Sequence, residues 1–179
     1  VEYVAFVPGG TALHVETGSG EIRTRGNLGS AHLATDYGDV TVDEIRGSLA
    51  AESGSGVYIS GGTLQASVIC RNGTANGFYG GGGVYIAGPC KIRSCLIAAN
   101  AAANRGGGVM VGSAAAELDN CTIVGNSVGY KAGGICYEGG ACPTRNSIVF
   151  SNTCGNVGWS DMDGVGSVIY SCSPPLTSG

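Results

Sequence analysis

Gly106-Gly107-Gly108-Val109-Met110-Val111, followed by Cys121-Thr122-Ile123-Val124-Gly125-Asn126, decides the fold of this chain, because the pair recurs. Gly54-Ser55-Gly56-Val57-Tyr58-Ile59 leads to Ser67-Val68-Ile69-Cys70-Arg71-Asn72, and Gly81-Gly82-Gly83-Val84-Tyr85-Ile86 to Cys95-Leu96-Ile97-Ala98-Ala99-Asn100. Gly133-Gly134-Ile135-Cys136-Tyr137 leads to Ser147-Ile148-Val149-Phe150-Ser151-Asn152. The steps from Asn72 to Asn100, Asn126 and Asn152 are nearly constant. A fixed period of that size marks a solenoid built from one supersecondary unit per repeat. The units are short, β-branched and punctuated by glycine. The expectation is an all-β chain, a right-handed parallel β-helix with coils of about 26 residues.

Stacking successive coils at about 4.8 Å turns equivalent positions into columns. Ile69, Ile97, Ile123 and Val149 are expected in the core. Ser67, Cys95, Cys121 and Ser147 are expected on the same face two positions earlier. Asn72, Asn100, Asn126 and Asn152 are expected to form a structural ladder, hydrogen-bonding neighbouring coils through a turn. Residues 54–152 hold the regular repeats. Residues 1–53 read as irregular coils or a cap, since terminal repeats are usually atypical. Residues 153–179 read as a closing flap.

Charged residues are only 12% of the 179, hydrophobic ones 43%, and 34 are glycine. Glycine at this level without a three-residue period excludes collagen, and the apolar content argues against disorder. The abundant glycine is expected to serve turns of positive φ. The net charge of −4 carries no basic cluster, which disfavours nucleic acid as a partner. No apolar run approaches the length of a membrane-spanning helix, so no membrane insertion is expected. The first residue is Val1 and no signal-peptide pattern follows, as in a mature chain or a piece of a longer one. Eight cysteines favour an extracellular, disulfide-permissive setting. Cys154 with Cys172, then Cys136 with Cys142, are the disulfide candidates, whereas Cys95 and Cys121 are expected as buried thiols.

The Gly-Gly-Gly-Val and Ile-x-x-Asn motifs resemble the GGA(I/L/V) and FxxN repeats of chlamydial polymorphic outer membrane proteins, with Ile or Val standing for Phe. The chain is also similar to bacterial right-handed β-helix proteins with a choice-of-anchor Q region, through Asn120-Cys121-Thr122-Ile123-Val124-Gly125-Asn126, Asn146-Ser147-Ile148-Val149-Phe150-Ser151-Asn152 and Tyr170-Ser171-Cys172. The resemblance covers residues 54–172. It implies a secreted or surface-displayed β-helix with no defined catalytic activity.

Chemistry-bearing residues are sparse. Hydrolysis of a glycosidic bond needs two carboxylates about 5–10 Å apart across one groove. Between Val57 and Asn152 the acids are Glu117, Asp119 and Glu138, and Glu117 and Asp119 share a strand face. Lys91 and Arg93 also share a face and suit a glycan carboxylate. Tyr58 and Tyr85 occupy one column, and outward-facing they would make an aromatic stripe for sugar rings or a partner protein. His14 and His32, the only histidines, stand well apart in the irregular segment with no zinc-ligand spacing nearby. Asp161-Met162-Asp163-Gly164 lacks the later ligands of a calcium loop. Neither metal nor cofactor is expected. The leading expectation is a non-enzymatic extracellular or cell-surface module, structural or adhesive, associating end to end into a filament or with other surface proteins. A polysaccharide lyase or glycoside hydrolase, and a carbohydrate-binding module, are the alternatives.

Overall fold

The computed structural model describes residues 8–35, 40–53, 56–74, 80–113, 115–140, 142–155, 158–159, 161–164 and 167–169. They form a parallel β-helix, with strands and no helix among the described residues. Three walls wind around one core. The first stacks residues 22–25 on 40–43, then Val57–Ile59, Val84–Ile86, Val109–Val111, Ile135–Tyr137 and Met162–Gly164. The second runs through Gly62–Gln65, Cys90–Arg93, Glu117–Asp119, Pro143–Arg145 and Ser167–Ile169. The third begins with Ala12–Thr17 on residues 30–35 and 48–53, and continues through Val68–Cys70, Leu96–Ala98, Thr122–Val124 and Ile148–Phe150.

β-branched and leucine side chains alternate inward along every wall, as Val57 and Ile59 do on either side of outward Tyr58. The expected column Ile69, Ile97, Ile123 and Val149 is in register and buried.

Residues 12–35 and 40–53 pair as coils, and as short ones. Leu33 pairs with Ala51, and Ile22 with Val40. From Val57 onward the step lengthens, Val57 pairing with Val84 and Val109 with Ile135. The added residues build one more corner. It holds an asparagine, a short strand of a second sheet (Gly73–Thr74, Ala101–Ala102, Ser127–Val128, Thr153–Cys154) and a glycine run.

Two expectations need correction. The described residues after 160 do not leave the solenoid as a flap. Met162–Gly164 and Ser167–Ile169 extend the first and second walls, and residues 170–179 lie outside the described part. Nor do the glycine runs mainly serve positive φ. Gly56 and Gly106 have it, but Gly107, Gly108, Gly133 and Gly134 all lack it. They are glycine because coils nearly touch there: a Cβ on Gly107 would sit 2.4 Å from the carbonyl oxygens of both Gly133 and Ser127. Left-handed backbone, φ 47–63°, falls instead on the residue ahead of each small column (Ala66, Ser94, Asn120, Asn146) and ahead of each asparagine (Arg71, Ala99, Gly125, Ser151).

Candidate functional site

The asparagine ladder is the most ordered polar feature. From Asn100 on, each buried rung accepts twice at Oδ1 from the coil before it. Asn100 takes Asn72 N at 3.0 Å and Nδ2 at 2.9 Å, and Asn126 and Asn152 repeat those distances. Each Nδ2 also donates back to a core-strand carbonyl, as from Asn126 to Ile97 at 3.0 Å. Asn72 donates likewise to Ala51. The ladder ends on Asp161, whose Oδ1 accepts from Asn152 N at 2.9 Å and Nδ2 at 2.6 Å. Asp163 is in register with Cys136 on the outer face, where Lys131 Nζ lies 3.7 Å from its Oδ2. The two carboxylates of the calcium-like stretch therefore serve separate partners.

Tyr58 and Tyr85 face outward in register, ring centroids 5.4 Å apart at 60°, with Tyr58 41% exposed. The same outward column continues through Met110 and Cys136 to Asp163. At that end Arg105 pairs with Glu138, and Lys131 lies 4.0 Å from Glu138. Lys91 and Arg93 face outward on either side of buried Ile92. Lys91 Nζ lies 3.6 Å from Glu117 Oε2 and lines an open recess of about 520 Å³ with Thr63, Gln65 and Pro89. Glu117 and Asp119 do share a face, flanking buried Leu118. Asp119 accepts from Asn146 Nδ2 at 3.0 Å, so both acids of that pair are engaged.

The cysteines sort by strand face. Cys136 looks outward beneath the Arg105, Lys131, Glu138 and Asp163 charges, whereas Cys142 belongs to the core. They are unbridged, Cys136 facing outward on the first wall and Cys142 facing the core where the second wall begins. Cys154 is buried and unbridged, its thiol donating to Tyr130 O at 3.0 Å, while Cys172 lies outside the described residues. Cys95 and Cys121 are buried thiols, as expected. They cap a corner as the hydroxyls of Ser67 and Ser147 do, which accept from the amides of Leu49 and Cys121. Burial pushes Cys90 and Cys142 up to about 12, and Cys136 to about 11. The hydrogen bond with the Cys95 sulfur, then burial, raises Cys121.

One cluster escaped the sequence reading. His14 and His32 are register partners on the outer face of the third wall, ring centroids 4.5 Å apart. Glu16 Oε1 lies 2.9 Å from His14 Nε2 and 3.5 Å from His32 Nε2. The hydrogen bond and the charge of His14 hold the Glu16 carboxyl below its ordinary range. The missed signal is the spacing: His14 to His32 is one coil of this region, as Leu33 to Ala51 is the next.

No model of a known protein family matches the chain, and no curated protein or solved structure does either.

Proposed function

We propose that this chain is a non-enzymatic β-helical module of an extracellular or cell-surface protein, structural or adhesive, whose first partner is a second copy of itself. The observation that carries the reading is the outer face of the third wall. Val68, Leu96 and Ile148 are exposed in one column, interrupted by Thr122, and Phe150, 50% exposed, stands in the next. Exposed apolar side chains in such an array are uncommon on a monomer's surface and favour association. Each coil repeats the face at the strand spacing, so a second copy presents a face of the same period, suited to a two-fold, self-complementary contact. The likeness of the repeats to surface-displayed β-helix proteins supports the same setting.

Sedimentation across a concentration series tests this, with electron microscopy beside it. Concentration-dependent association that Ile148→Lys with Phe150→Lys weakens supports the reading. Association unaffected by the pair, in filaments joined end to end, moves the contact to the coil edges. A monomer at every concentration sinks self-association. A second reading, a carbohydrate-binding module, draws on the Tyr58–Tyr85 pair and the recess at Lys91. Glycan binding lost in Tyr58→Ala and Tyr85→Ala would favour it.

A further inference from the structure

The chain has two histidines, and the fold sets them side by side. Glu16 joins them from two positions along the first strand, on the same outward face. One ligand atom from each of His14, Glu16 and His32 lies within 4.8 Å of the other two. Two imidazole nitrogens and one carboxylate oxygen are the donor set of three-ligand zinc sites that leave a fourth position open. Metal–ligand bonds of about 2.0–2.1 Å place tetrahedral donors roughly 3.3–3.4 Å from one another. The 2.9 and 3.5 Å separations here bracket that value, so side-chain rotation suffices to close the site. The neighbouring register positions, Ala34 beside Glu16 and Ala50 beside His32, carry only methyl groups and leave the outer side open.

We infer that His14, Glu16 and His32 form a surface site for a divalent late-transition-metal ion of the zinc class. The ion takes two ligands from the first described coil and one from the second, and so ties those coils together. That is where such a tie matters most. Leu13 and Val15 are only partly buried, and the asparagine ladder that locks later coils starts at Asn72. Neutral imidazole with an ionised carboxylate selects such ions over calcium or magnesium, which prefer all-oxygen shells.

The test is calorimetric titration of the full chain with zinc chloride, with metal content after dialysis and thermal melts of the same samples. The expected result is one ion per chain and a higher melting temperature with zinc, but not with magnesium. His14→Ala, His32→Ala and Glu16→Gln should each weaken zinc binding by about tenfold or more, the ligands acting together. These side chains are 66%, 41% and 64% exposed, so the variants should fold, and their metal-free melts serve as the check. Zinc binding that survives all three variants, one ion shared between two chains, or no binding would each overturn the assignment.

Discussion

The early coils are short and the later ones long. Ala12 meets its register partner at Ser30 and Val40 meets Val57, whereas Val57 next pairs only at Val84 and Ile69 at Ile97. Both regions close around the same core, and the difference lies in one corner. The long coils fill it with an asparagine, a short strand and a glycine run, so each coil interlocks with the next through paired amides. In the short coils the first strand leaves Leu13 and Val15 half-buried, and Thr24 Oγ1 is the buried side-chain polar atom without a partner among the described residues. A corner that looks like an insertion is thus where much of the specific polar bonding of the long coils resides.

The comparison can be broken most severely at the glycine run. Gly107→Ala drives a methyl group into two backbone carbonyls that neither neighbour can move, and should cost about 4 kcal/mol or more in urea unfolding. Were the loss below that of an ordinary surface substitution, close coil contact would not be the reason for the glycines. Next is Asn126→Ala, which strands the amide and side-chain donors of Asn100 in a buried corner. A loss of about 2–4 kcal/mol is expected from thermal melts, while the folded circular-dichroism spectrum stays strand-like.

A loss of a different kind, read against pH, comes from alkali. The folded-state values of about 12 for Cys90 and Cys142, and about 11 for Cys136, lie above the ordinary thiol value. The native chain then holds protons that the unfolded chain has released, so stability is intact below pH ~8.5 and falls as pH rises toward 12. Melts at rising pH check the slope, and replacing Cys90 by Ser should flatten it. Because all three thiols belong to the long coils, the loss sharpens the contrast between the regions. The smallest change is Asp161→Asn. It keeps the acceptor for Asn152 and adds a donor with no further rung, for a cost of about 1 kcal/mol by chemical denaturation.

The regular half of the molecule was legible because its corner residues are chemically distinctive. Asn72, Asn100, Asn126 and Asn152 and the glycine runs mark the period directly, and Ile69, Ile97, Ile123 and Val149 follow from it. The short coils lack those markers. Leu13-His14-Val15 and His32-Leu33-Ala34 are visible as strands, but their register rests on backbone pairing that no side-chain type announces. The histidine cluster was hidden for the same reason, since His14 and His32 meet only once the coil length is known. Cys136 and Cys142 stand on either side of the Gly139-Gly140 turn, which makes them look like a pair in the sequence. Strand parity, which sends one outward and one into the core, decides against the bridge.

The asparagine ladder also has a sense. From Asn100 on, each asparagine receives from the coil before it and gives to the coil after, so donation between these side chains flows one way along the axis. Such a relay must stop at a group that can receive and has nothing to hand on. A carboxylate is that group, and at Asp161 the chain writes the full stop of its own repeat.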